Sequence, residues 1–162
     1  MTAFSIDVRG DAIQQIAALQ QRLSNPAPLM AGIAAELLSV TEDAFAREGV
    51  VDGEKWKPLA LSTIRQREKR GQWPGKKLQR STAGLAASIQ PFHSAARAGL
   101  TVSKPYAAIH QFGGMAGRGR KVEITARPFL PLKRDGGDHA LTPTMNSRLL
   151  EMVADFIDGQ MR

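Results

Sequence analysis

The sequence predicts an α+β fold in a single domain spanning 1–162, with a small antiparallel sheet packed against two or three long helices. Three observations carry this expectation. Apolar residues recur at helical spacing in two N-terminal stretches and one C-terminal stretch. Between them lie short runs of alternating character, bounded by glycine and proline. The length of 162 residues suits one core, because a chain of this size buries about 70% of its unfolded surface. The chain therefore divides into a helical part at about 1–50, a mobile basic segment at about 50–80, and the sheet with the C-terminal helix at about 81–162.

Phe4, Ile6 and Val8 alternate with Ser5 and Asp7, which predicts a short strand ended by Gly10. Asp11, with Gln14 three residues later, opens a helix over 11–24 whose stripe is Ile13, Ile16, Leu19 and Leu23. Asn25-Pro26-Ala27-Pro28 breaks it. A longer helix over 29–48 buries Leu29, Ile33, Leu37, Val40, Ala44 and Phe45, with Gly49 at the position of a C-terminal cap.

Lys55 to Leu59 reads as an irregular segment with Trp56 as its aromatic anchor. Ser62 can cap a short, basic helix through Arg70. Gly71 to Lys77 is turn-rich and poor in core residues, so it is expected to be mobile in the isolated subunit, as is the glycine-rich tip Met115 to Arg120. Ser81 or Thr82 can cap a short helix holding Leu85 and Ile89. Strands are expected at 88–94, where Pro91 argues for an edge, at 98–103 and at 121–125. Tyr106 to Gly114 is a helical turn closed by glycine. Arg127 to Leu132 holds two prolines and is read as an edge or an extended arm. A final helix over 142–160 takes Thr142 as its cap and Pro143 at its first position, and buries Met145, Leu149, Met152, Phe156 and Ile157.

The net charge of +7 is unevenly laid down. Residues 1–53 carry −4, 54–80 carry +7, 81–134 carry +7 and 135–162 carry −3. Such a basic middle is either a solvated surface or a face for DNA or an acidic protein. The candidate contacts are Arg65, Arg67, Lys69, Arg70, Lys76, Lys77, Arg118, Arg120 and Lys121.

Chemistry is scarce. The chain has no cysteine, which removes disulfides, thiolate metal sites and cysteine nucleophiles. His93, His110 and His139 share no metal-ligand spacing with one another or with carboxylates. His110 is read as a side chain bonded to backbone at a tight turn. Gly113 to Gly119 lacks the Lys-Ser/Thr ending of a phosphate loop. No catalytic residue, cofactor, metal or small-molecule substrate is therefore expected. The N-terminus has no signal-peptide pattern, and the most apolar stretch, 29–40, falls short of the roughly 20 residues needed to span a bilayer. No membrane partner is expected.

Several segments, taken in order, carry a family resemblance. They are Trp56-x-Pro58-Leu59 with Ser62-Thr63; Leu78 with Ser81-Thr82-x-Gly84-Leu85-x-x-Ser88-Ile89; Tyr106-Ala107-Ala108-Ile109-His110-Gln111-Phe112-Gly113-Gly114; and Arg127-Pro128-Phe129-Leu130. The chain from about Asp43 onward resembles the phage virion morphogenesis family, which includes tail-completion proteins of Mu-like and P2-like phages. The tyrosine-to-glycine block followed by Arg-Pro-Phe-Leu is the specific part, and the basic Gly71 to Lys77 insert departs from the pattern. The resemblance implies a structural virion subunit, not an enzyme. It would form a ring, expected as a hexamer, that caps the tail and joins it to the head, meeting tail-tube and neck or connector proteins. It would be assembled in the host cytoplasm and reside at the head–tail junction, with genomic DNA passing as a further contact. A portal-side neck subunit and a basic DNA-binding module are the competing readings, the second disfavoured because no helix combines basic residues with a clean apolar stripe.

Trp56, Arg127, Phe129 and Leu130 are the candidate residues for contact between subunits or with a partner. Two readings of Phe129 stand open: an exposed arm that pairs with a neighbour, or a side chain folded back onto its own core.

Overall fold

The computed structural model describes residues 11–51, 53–135 and 138–159. The strand expected at Phe4 to Val8 lies outside them. Five helices are formed: α1 (Asp11–Ser24), α2 (Ala27–Arg47), α3 (Leu61–Glu68), α4 (Ala107–Phe112) and α5 (Pro143–Asp158). The strands are β1 (Ile89–His93), β2 (Ala98–Val102), β3 (Gly114–Ala116), β4 (Val122–Ile124), β5 (Leu132–Asp135) and β6 (Asp138–Leu141). The mixed class is as expected, with one change of plan. The strands make three separate antiparallel hairpins instead of one sheet, β1 with β2, β3 with β4 and β5 with β6. Proline explains much of this, since Pro91 has no amide for a further ladder and Pro128 and Pro131 interrupt the chain ahead of β5. The flexible tip expected at Met115 to Arg120 is built into the β3–β4 hairpin, and the hairpin at 132–141 was not foreseen.

Caps differ in detail. Thr142 does cap α5, its hydroxyl accepting from the Met145 amide. Glu48, not Gly49, takes the left-handed residue that ends α2. Neither Ser62 nor Ser81 nor Thr82 caps a helix: α3 starts after Ala60, and Leu85 leads into a single 3-10 turn at Ala86–Ser88. Gly113 closes α4 at φ +72°, where an added Cβ would lie 3.0 Å from the Ala126 amide nitrogen. Only glycine meets both demands.

α2 is the centre of the packing, lying against the β1–β2 hairpin and α5, while α1 lies on α5. The core joins Leu37, Val40, Ala44 and Phe45 of α2 to Val51, Trp56, Leu85, Ile89, Phe129 and Met145. Phe45 is the aromatic hub, its ring 5.6 Å from Trp56 edge-on and 5.3 Å from Phe129. The stripe of α1 is not buried. Ile13, Ile16 and Leu23 are 48%, 53% and 56% exposed, and Ile157 of α5 is likewise exposed.

The Arg127 to Leu132 segment runs through the interior. Phe129 is fully buried, which settles its two readings within the subunit in favour of its own core. Because residues 127–131 pair with no strand, side chains satisfy much of their backbone. Buried Gln111 of α4 accepts from the amides of Phe129 and Leu130, both at 2.9 Å, and donates to the Leu130 carbonyl at 3.2 Å. The Trp56 indole donates to the Pro128 carbonyl at 2.7 Å.

Two substitutions check this arrangement by urea unfolding. Phe129→Ala should destabilise the fold by about 3–5 kcal/mol, the range for a truncated core Phe. Gln111→Met keeps the volume but strands two buried amides, for a loss of about 1–3 kcal/mol each. Unchanged midpoints for both would contradict an interior segment.

Candidate binding cavity

A cavity of about 460 Å³ opens between α3, the Leu78–Leu85 turn, α4 and β4. Its polar wall is unusual for what it lacks. Arg67 reaches it from the inner face of α3 and Arg127 from the interior segment, each only 7% exposed. The Arg67 Nη1 donates to the Lys76 carbonyl at 2.9 Å. Arg127 donates through Nε to the Lys57 carbonyl at 3.2 Å and through Nη2 to that of Pro58 at 2.8 Å. These acceptors are all neutral. Among the described residues neither guanidinium is paired with a carboxylate, although buried charges ordinarily are.

His110 of α4 lines the same cavity, its ring edge-on to Tyr106 at 5.8 Å, and its carbonyl accepts from the Arg127 amide at 2.7 Å. Burial and the nearby Arg127 guanidinium push its pKa below the ordinary histidine value. Burial, with Arg67 as a second cause, also lowers that of Arg127. Two buried side-chain polar atoms among the described residues have no hydrogen-bond partner, Arg67 Nε and His110 Nδ1. Both residues line this one cavity. The turn-bonding role expected for His110 is therefore not what Nδ1 does.

The sequence candidates separate in space. Trp56, Arg127 and Phe129 are buried and Leu130 is half-buried, so they shape the subunit from within and offer no extended arm. Among the basic candidates, Arg65, Lys69, Arg70 and Lys76 are exposed around α3 and its following loop, and Arg118, Arg120 and Lys121 at the β3–β4 hairpin. Arg67 is the exception, turned inward. Lys77 is also tied down, its amide and ammonium both donating to the Glu48 carboxylate, the latter at 3.1 Å. Burial raises the Glu48 pKa, but the bonds from Lys77 outweigh this and hold it below the usual carboxylate value. The Gly71 to Lys77 loop is thus anchored at its end, a tie its composition did not suggest. Among the described residues, no group of three or more His, Asp and Glu is placed to hold a metal ion. No described helix is long and apolar enough to cross a membrane.

The phage virion morphogenesis family matches residues 9–149, which include every element of the cavity. The chain belongs to that family. It is also 38% identical over 156 residues to Mu-like prophage FluMu G protein 2 of Haemophilus influenzae, a match covering 93% of this chain and 95% of the relative. No solved structure matches it. Family membership places the protein in the assembly of phage virions, and the segments that suggested the family, Tyr106 to Gly114 and Arg127 to Leu130, are those that build the cavity wall and the core behind it.

The cavity generates a pH prediction. With its folded pKa below the unfolded value of about 6.5, His110 binds its proton first in the unfolded state. Its contribution is complete above that pH and is lost as pH falls below it. Urea unfolding at pH 7.5 and 5.5 should show the protein weaker at 5.5, and His110→Gln should reduce the difference. Glu48, also depressed, loses its contribution only at pH below about 4.5, so the two windows are distinct. An equal loss in the variant would remove His110 as the source.

Proposed function

We propose that the protein is a tail-completion, head–tail joining subunit. It closes into a hexameric ring on the head-proximal end of the tail, with tail-tube protein on one face and neck or connector protein on the other. It acts by binding alone, is assembled in the host cytoplasm and resides at the head–tail junction of the virion. Its exposed loop arginines and lysines face acidic neighbours or the DNA that passes through.

The observation that carries this reading is the uncovered apolar face of α1. Ile13, Ile16 and Leu23 recur on one helical stripe and stay about half exposed, with Leu150 and Ile157 of α5 also exposed. Single exposed hydrophobics are ordinary, but three of the four stripe residues left open on an amphipathic helix, with Leu19 half-buried between them, mark an interaction surface. A subunit that is completed by its neighbours accounts for it, and so does membership of a virion morphogenesis family.

The test is complementation of a phage lacking this gene, read by negative-stain microscopy. Tail completion predicts full heads beside separate tails, some of them overlong. Separate tails of normal length would favour a portal-side neck subunit, and intact virions would refute both. Ile16→Asp should leave the free subunit within about 0.5 kcal/mol of wild type, because the site is exposed. The same variant should fail to restore joined virions, and successful joining would remove the α1 face from the interface.

A further inference from the structure

We propose that the Arg67–Arg127 cavity is a carboxylate socket, filled in the assembled ring by an acidic side chain of a neighbouring copy of this chain. The choice of a second copy rests on the ring reading above; the carboxylate chemistry does not.

Two like charges are held inside the subunit, each met only by neutral carbonyls. Arginine cannot shed its proton to escape such a site, so an anion is the ligand whose chemistry fits the cavity. The two side chains that carry the orphaned polar atoms among the described residues, Arg67 and His110, both line this cavity, and Arg67 is more than nine-tenths buried. Glu123 of β4 stands at the wall, yet makes no ion pair or hydrogen bond with either arginine. A planar carboxylate matches the donor fork of a guanidinium. Leu78, Leu85 and Ile124 line the remaining wall and would cover the methylene stem of an acidic side chain. The recess argues against a duplex phosphate, because a stiff backbone cannot follow into a cavity whose two arginines are only 7% exposed.

Charge complementarity points to a second copy. The cavity is lined wholly from residues 59–127, inside the two basic blocks. The exposed carboxylates Glu42 and Asp43 of α2 and Glu151, Asp155 and Asp158 of α5 belong to the acidic blocks, and neither helix contributes to the cavity. A head-to-tail contact can therefore set the acidic helices of one subunit against the basic cavity of the next, which is the kind of heterologous interface that closes into a ring.

The first arm of the test uses the full-length free protein and glutarate, with sodium chloride at equal ionic strength and inorganic phosphate as controls. Glutarate should raise the thermal midpoint saturably by several degrees and shift the Arg67 Nε–H resonance. Arg67→Gln should weaken glutarate binding at least tenfold, and Arg67→Lys less. If Arg67→Gln does not fold, His110→Gln and Arg67→Lys carry the comparison. A glutarate response no larger than that of chloride, an equal response in the variants, or saturable binding of phosphate alone would overturn the socket. The second arm follows assembly by light scattering and microscopy. Folded Arg67→Gln subunits should fail to form the ring that wild type forms. Normal rings from a variant that has lost glutarate binding would overturn the neighbouring copy as occupant. Wild-type protein that binds glutarate yet never forms a ring would overturn the ring reading and the second copy together, while the socket itself stands.

Discussion

The interior course of the Arg127 to Leu132 segment constrains the rest of the molecule. A stretch with prolines at 128 and 131 cannot pair along a strand, yet Phe129 must reach the core beside Phe45. Its amides and carbonyls then need partners that no sheet supplies. Gln111 bonds both the Phe129 and Leu130 amides, Trp56 takes the Pro128 carbonyl, and the Thr142 amide takes that of Pro131. One segment thereby fixes α4, the Trp56 to Pro58 strip and the start of α5. The Arg127 guanidinium completes the set by holding the Lys57 and Pro58 carbonyls. Removing any one of these side chains leaves a buried polar group exposed to no water, which is why the cluster behaves as a unit.

The helices were legible because each is written locally. Asp11 and Ser24 bound α1 within the expected span, and Thr142-Pro143 opens α5 as its chemistry requires. The sheet was legible only in kind, since strands at 89–93, 98–102 and 122–124 alternate visibly while β3 opens on Gly114 and β5 (Leu-Lys-Arg-Asp) and β6 (Asp-His-Ala-Leu) show no alternation. Burial was the least legible property. The stripes of α1 and α2 look alike in sequence, but α2 meets the β1–β2 hairpin and α5, whereas α1 lies on α5 and leaves Ile13, Ile16 and Leu23 about half exposed. Periodicity states that a face is apolar and leaves open what covers it.

The cavity was illegible for a related reason. Arg67 sits among Arg65, Lys69 and Arg70 and reads as one more solvated cation. What turns it inward is the return of the chain, with the Gln72 amide bonded to its carbonyl and its guanidinium to Lys76. Arg127 reaches the same space from beyond β4 through contacts with Lys57 and Pro58. No local pattern couples the two. The Tyr106 to Gly114 and Arg127 to Leu130 motifs nonetheless marked the correct region, because they place His110 and Gln111 on successive positions of α4, one facing the cavity and the other clamping the core.

That adjacency links the two unfinished features of the subunit to its stability. Apolar residues in place of buried arginines commonly stabilise a free protein or leave it unchanged, so an unpaired pair is a burden on the isolated chain. An open apolar stripe on α1 is likewise a liability for a solitary protein. In the proposed ring both burdens would be relieved by contact, the first by an anion and the second by an apolar surface. The core is closed by Phe129, Phe45 and Trp56 within the one chain, so the proposed subunit would stay folded before any neighbour joins it. If the proposed assembly adds the partners that folding leaves out, an anion in the cavity would also tighten the fold around it, because the Arg127 amide bonds the His110 carbonyl and so joins the cavity to the core segment.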